Sequence, residues 1–247
     1  MPLTKQTYMP LAVSQVEESI HEALYVASTG RGGPVVVDIP KDIQNADVGD
    51  HYQFDADTYE PDLPGFFYSP APDRELVRKA VGLINHSERP IILCGHGVIN
   101  CNAGQVLVKF AEKANLPIAF TLHGLSALPV DHPLSLGMVG MHGTVEANRA
   151  LLNADLIMSF GMRFDDRVTG NLADFGMNAE VIHVEIDPSE IDKNVKTSVA
   201  LNADVKQALT LLANAPELIT KPRKSWFEQI EPYRCEIADE IHRDIER

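Results

Sequence analysis

Gly137-Met138-Val139-Gly140-Met141-His142-Gly143-Thr144, followed after a helical stretch by Gly161-Met162-Arg163-Phe164-Asp165-Asp166-Arg167-Val168-Thr169-Gly170, carries the pattern that decides the fold. The first block reads as a Gly-rich loop running into a helix. The second reads as a Gly-ended strand that opens into a loop of alternating acid and base. Loop, helix, strand and charged loop in that order make one βα-type unit with its polar groups at one edge. That edge is where an open parallel sheet receives a nucleotide-like ligand.

The same rhythm extends to both sides. Helical spacing marks 73–85, with Leu76, Val77, Ala80, Leu83 and Ile84 inward, and 103–115, with Val106, Phe110, Ala111 and Ala114 inward. Further helices are expected over 144–153 and 204–213, with a short one over 188–192. Apolar runs over 90–94, 117–121, 154–160, 181–186 and 199–202 read as buried strands. Strands alternating with helices predict an α/β fold, a doubly wound, mostly parallel sheet with right-handed crossovers.

Upstream, Ser14-Gln15-Val16-Glu17 reads as a capping box before a helix with Val16, Ile20, Ala23, Leu24 and Ala27 on one face. Gly30 stops that helix, and Pro34 to Pro40 reads as a short buried strand. One helix and one strand cannot bury their faces alone. Residues 1–45 therefore read as the remnant of another α/β domain. Residues 46–70 are polar and aperiodic, a linker, and 71–215 form the main domain. The charged tail, 216–247, carries Trp226, Ile230, Ile237, Ile241 and Ile245 at helical spacing and is expected to lead toward a further domain.

The chain has 247 residues, 45% hydrophobic and 23% charged, as in an ordinary globular protein, with a formal net charge of -14. That charge disfavours nucleic acid and anionic membranes as partners, because both need basic surface. Cys94, Cys101 and Cys235 form no CxxC, and so sparse a set implies a reducing, cytoplasmic compartment. Cys94 reads as a small core residue. No apolar run is long enough to span a bilayer, and Met1 to Lys5 begin no signal peptide.

Each expected strand of the main domain ends in a polar or Gly-rich turn: Gly95-His96-Gly97 through Asn100, Thr121-Leu122-His123, Gly161 through Asp165, and Ile186-Asp187. Glycines there admit a flat or phosphorylated ligand to the backbone, and Arg163 and Arg167 suit a pyrophosphate. Glu185 or Asp204 suits ribose or adenine hydrogen bonding. Singly, each turn is better explained as a tight turn; four on one edge favour a dinucleotide site. GxGxxG is absent, so the nicotinamide-type fingerprint is missing. His142 suits a ligand contact and the capping of its own loop equally well. There is no HxxxH and no Cys/His cluster, hence no metal site, and no serine or cysteine in a nucleophile context.

Gly30-Arg31-Gly32-Gly33-Pro34-Val35-Val36-Val37-Asp38-Ile39-Pro40-Lys41-Asp42 resembles the end of the first domain of thiamine-diphosphate enzymes. Gly140 to Thr144 together with Arg163 to Gly170 resemble the large catalytic subunit of acetohydroxyacid synthase (acetolactate synthase). The resemblance implies a fragment of a transferase in isoleucine and valine biosynthesis. That enzyme decarboxylates pyruvate on thiamine diphosphate and condenses it with a second 2-keto acid. It implies FAD on this chain, and thiamine diphosphate with Mg²⁺ mainly on domains outside it. No catalytic residue falls here, since the activating Glu lies upstream and the metal motif downstream.

Carried over by motif, the FAD contacts are Arg31, Gly95, His96, Gly97, Asn100, Thr121, Leu122, His123, Val139, Gly140, Met141, His142, Gly161, Met162, Arg163, Asp165, Arg167, Val168, Glu185, Ile186 and Asp204. Met141, Asp166 and Arg167 also line the substrate channel. The implied partners are the flanking domains, further copies of the catalytic subunit and a small regulatory subunit. Two departures stand out: Gly32 where the family has Pro, and Ala203 where it has Gly. The readings held beside this one are a non-catalytic nucleotide-binding module, a split-gene partner, and another FAD-containing thiamine-diphosphate enzyme.

Overall fold

The computed structural model describes residues 3–49, 52–63, 71–129 and 131–233. They fall into two compact units, Met1–Ser69 and Pro70–Arg247.

In the first unit β1 (Gln6–Tyr8) pairs in parallel with β2 (Val35–Val37), and α1 (Val16–Ser28) lies between them in sequence. A short α2 (Lys41–Gln44) follows. β1 was not expected; three residues are too few for alternation to register. The expected capping box does not form. Gln15 is the N-cap and makes no side-chain cap bond; its Oε1 accepts from the Leu11 amide at 3.0 Å instead. Ala23 and Val26 are the buried residues of α1, whereas Ile20 and Leu24, placed inward by the sequence, are exposed. The stretch read as linker is partly packed: the Phe54 and Tyr59 rings lie tilted or edge-on against His21 of α1, and the one hydrogen of the Tyr59 hydroxyl is shared between Glu18 and Glu22 at 3.2 and 3.3 Å.

The second unit holds six strands: β3 (Pro90–Cys94), β4 (Ile118–Phe120), β5 (Ser135–Met138), β6 (Leu156–Phe160), β7 (Glu180–Glu185) and β8 (Val199–Asn202). They form one parallel sheet in the order β5-β4-β3-β6-β7-β8. Counted from β3 the order reverses between β3 and β6, and that is the switch point of a doubly wound sheet. Its helices are α3 (Arg74–His86), α4 (His96–Asn100), α5 (Gly104–Ala114), α6 (Val145–Asn153), α7 (Asp166–Thr169), α8 (Val205–Asn214) and α9 (224–233).

Strand alternation divides the core between the two faces. Ile92, Cys94, Ile118, Phe120, Met158 and Phe160 meet α3, α5 and α8 on one face. Ile91, Leu93, Ala119, Ile157 and Val181 meet α6, Trp226 and Ile230 on the other. On α5 Phe110, Ala111 and Ala114 are buried as expected and Leu107 joins them; Val106, expected inward, is partly buried. β5 occupies the start of the expected Gly-rich loop, with Gly137 inside the strand at φ +83°. The described part of the tail has a core of its own to cover. It packs on the second unit itself, with Trp226 Nε1 donating to the Pro90 carbonyl at 2.9 Å. Ile237, Ile241, Ile245 and Cys235 lie outside the described residues.

Among the described residues no helix is long and apolar enough to cross a membrane. None of them form a His/Cys/Asp/Glu group that would hold a metal ion.

Candidate site at the carboxyl edge of the sheet

All six strands of the second unit run parallel, so their carboxyl ends and the loops that follow share one edge. At the switch point the loops after β3 and β6 lie on each other. Gly95 N–H donates to Phe160 O at 3.0 Å and Gly97 N–H to Gly161 O at 2.9 Å. A Cβ on Gly161, which sits at φ +60°, would meet Gly97 Cα at 2.6 Å, and one on Gly95 would overlap the Gly161 carbonyl. These glycines permit backbone to pack on backbone. The sequence reading gave that space to a ligand; at Gly95, Gly97 and Gly161 the chain itself fills it.

Gly140 follows the same logic. Its φ is +103°, and a Cβ there would overlap the Arg167 carbonyl. Asn148 of α6 clamps it from behind: Oδ1 accepts from Gly140 N–H at 2.9 Å, and Nδ2 donates to Gly140 O at 3.0 Å. Thr144 caps α6, accepting from Ala147 N–H, while its hydroxyl donates to Leu136 O at 2.7 Å. Met141 N–H donates to Arg167 O at 3.2 Å, which ties this loop to α7. The expected loop-to-helix element is therefore present, shortened to 139–144 because β5 takes Gly137 and Met138.

The charged loop after β6 holds the candidate anion contacts. Arg163 lies 3.8 Å from Asp165, both half-exposed, and Arg167 is exposed. Asp165 Oδ1 is buried without a hydrogen-bond partner, while Oδ2 faces Arg163. Met162 and Val139 point their side chains into the core, so they offer backbone alone. Met141, His142, Leu122 and His123 are exposed, with the His96 ring edge-on to His123 at 5.7 Å and its Nδ1 3.2 Å from the His123 carbonyl.

After β7 the buried Glu185 carboxylate turns back on its own loop. Oε1 accepts from Ile186 N–H at 3.0 Å and Asp187 N–H at 3.2 Å. Asn202, not foreseen, donates to the Glu185 and Ile186 carbonyls. Asp204 caps α8 through the Gln207 amide at 2.9 Å. Ala203 needs no positive φ, so the Gly-to-Ala departure leaves that cap intact. Asn100 ends α4 and is exposed. Arg31 belongs to the first unit, where it is exposed. Burial pushes the thiols of Cys94 and Cys101 up to about 12 and about 11, so neither is a nucleophile near pH 7.

The edge thus joins residues from Gly95, Thr121, Val139, Gly161, Glu185 and Asp204. Asn148, Asn202 and His183 were missed. An asparagine eight residues beyond a loop glycine carries no local signal, although Asn148 lies one helical turn past the Thr144 cap.

Residues 77–212 match the family description "Thiamine pyrophosphate enzyme, central domain". The chain is 41% identical over 232 residues to the "Probable acetolactate synthase large subunit" of Methanocaldococcus jannaschii, covering 93% of this chain and 39% of that protein. It is 40% identical over 243 residues to "Acetolactate synthase 2, chloroplastic" of Zea mays (95% and 36%). It is 40% identical over 233 residues to the "Acetolactate synthase large subunit" of Corynebacterium glutamicum (93% and 35%). The chain spans little more than a third of the length of these relatives. With its sheet order, its switch-point loops and this match in view, the chain belongs to the thiamine pyrophosphate enzyme family, and residues 77–212 are its central domain.

Proposed function

We propose that this chain is the central, flavin-holding part of an acetolactate synthase catalytic subunit. The observation that carries the reading is the charged loop after β6, where Arg163 lies 3.8 Å from Asp165 and Arg167 is exposed, beside the backbone contact of the loops after β3 and β6. Its donors and acceptor fit a dinucleotide. Two guanidinium groups meet a pyrophosphate, and a carboxylate oxygen accepts from a hydroxyl or ring N–H. FAD would rest against the exposed faces of His96, Leu122, His123, Met141 and His142. The backbones of Gly95, Gly97, Thr121, Val139, Gly140, Gly161, Met162 and Val168 would support it. Glu185, Ile186 and Asp204 would contribute through the turns they shape, and Arg31 and Asn100 from their own loops.

In the complete enzyme thiamine diphosphate, held with Mg²⁺ by other domains, supplies the electron sink for joining two 2-keto acids. This chain's residues act by binding and orienting. Met141, Asp166 and Arg167 are exposed and would border the path of the keto acid. The exposed apolar residues Leu11, Ile20, Leu24 and Val36 of the first unit support a larger domain around it, and hence flanking segments of the same enzyme as partners. Further copies of the subunit, a regulatory small subunit and a cytoplasmic location complete the reading.

The test is the visible absorption of the purified chain after saturation with FAD and removal of the excess. Near one flavin retained per chain is expected, with Arg163→Ala and Arg167→Ala each weakening binding by roughly tenfold. A chain that takes up no flavin, or variants that hold it as well as the wild type, would overturn the assignment.

A further inference from the structure

β7 carries a histidine that the proposed site leaves without a part. His183 is fully buried, with Nε2 3.0 Å from the Met162 carbonyl and its ring edge-on to Phe164 at 4.9 Å. Its second nitrogen, Nδ1, is buried with no partner, and so is Ser159 Oγ. The two open atoms belong to register partners: Ser159 on β6 lies opposite His183 on β7. Partners in adjacent parallel strands put their side chains on the same sheet face. Here that is the face of Ile157 and Val181. Adjacent strands stand about 4.8 Å apart, which leaves a hydroxyl and an imidazole within reach of each other across one water.

The chemistry leaves one consistent arrangement. A carbonyl oxygen can accept and cannot donate, so Nε2 must carry the hydrogen. In a neutral imidazole Nδ1 is then an acceptor, and a serine hydroxyl is a donor of matching size. Burial holds the His183 imidazole below its usual pKa against the opposite pull of the Met162 carbonyl, Asp192 and Glu190, which favours the neutral ring.

We propose that Ser159 and His183 form a tautomer lock for the ligand-facing loop. The Ser159 hydroxyl reaches Nδ1 across one bridging water that donates to it, which reinforces the hydrogen that the Met162 carbonyl places on Nε2. Nε2–H then holds the Met162 carbonyl, and with it the loop that presents Arg163 and Asp165. Phe164 pins the ring from the side, and Asn194 Nδ2 holds the Phe164 carbonyl at 2.7 Å, so the loop is gripped at the peptides on either side of Arg163–Phe164. His183 is a positioning residue. Its effect on a ligand rests on the flavin reading, whereas the lock itself does not.

Two measurements separate these. In ¹⁵N-labelled wild-type chain near neutral pH, the His183 imidazole is expected to show a protonated Nε2 and an unprotonated, hydrogen-bonded Nδ1. Ser159→Ala should move the Nδ1 resonance and leave Nε2 in place. In flavin titrations His183→Leu should bind about tenfold more weakly or worse. His183→Gln, which can return an N–H toward the Met162 carbonyl, should stay within about threefold of wild type. A protonated Nδ1 in the wild type, or no response of that resonance to Ser159→Ala, would overturn the lock. Flavin binding by a folded His183→Leu equal to wild type would overturn its positioning role. Absence of flavin binding by the wild type would sink the cofactor reading while the imidazole spectrum still decides the lock.

Discussion

At the scale of single residues, Gly140 and Asn148 work as one fitting. The backbone of Gly140 adopts φ +103° and lies against the Arg167 carbonyl, and both of its polar groups are taken by the Asn148 amide. Gly140→Ala adds a methyl where there is backbone and forces a side chain into a strained conformation, at a cost of about 1–3 kcal/mol or more. Asn148→Ala leaves two backbone groups without their partners, for about 1–3 kcal/mol. Denaturant unfolding would measure both, and Gly140→Ala should also disturb α7. His183 contributes a pH dependence whose sign follows from its buried, neutral ring. Its folded pKa lies below the ordinary 6.5, so below that value the unfolded chain binds more protons. The stability it contributes is present above about pH 6.5 and lost as pH falls toward its folded pKa. Melting temperatures of wild type should drop more steeply than those of His183→Gln from pH 7 to pH 5. The glycines of these loops could be read from the sequence as special positions. The purpose of Gly95, Gly97, Gly140 and Gly161 could not, because the atoms that fill the space beside them come from loops more than twenty residues away.

At the scale of elements, α3 and α5 share a cap that neither contains. Arg223, buried after the chain has passed over the domain, donates from Nη2 to Ile84 O at 2.7 Å and from Nη1 to Ala114 O at 3.1 Å. Both carbonyls lie at helix carboxyl ends, where a cation meets the negative end of the helix dipole. Arg223→Ala should cost about 2–4 kcal/mol, through two lost charge-assisted bonds and the carbonyls left bare. Arg223→Lys should recover part of that, since one ammonium cannot span two helix ends with the same fork. Trp226, three residues on, fills the second core cluster, and Trp226→Ala should cost about 3–5 kcal/mol. Chemical denaturation of the three variants checks these values. The long helices and central strands were legible from apolar spacing. Two short strands were not: β1 has three residues, and β5 is interrupted by Gly137 at positive φ, so neither repeats often enough to show a period. The capping box failed for a different reason. A 3-10 turn over Val13–Gln15 precedes α1 and moves the helix start past Ser14.

At the scale of the whole molecule, the alternation of elements was enough to place the polar loops on one edge, because a parallel sheet puts every strand end there. The strand order was not written in that alternation; it depends on which edge of β3 receives β6. The tail's spacing left its partner open, because a charged helix with a few apolar positions looks alike whether it covers its own domain or a neighbour. Deletion of 224–247 should therefore bare the Ile91 and Leu93 face and leave a second unit that binds a hydrophobic dye and loses cooperative unfolding. The sheet order has a consequence for the chain while it is being made. β3 is a central strand with β4 on one side and β6 on the other, and β6 begins only at Leu156. On the ribosome, the half-sheet β5-β4-β3 is complete while the inner edge of its most apolar strand still has no neighbour. A nascent chain paused before Leu156 would expose that edge to other nascent chains, so slow codons in this interval should lower soluble yield and raise dependence on holding chaperones.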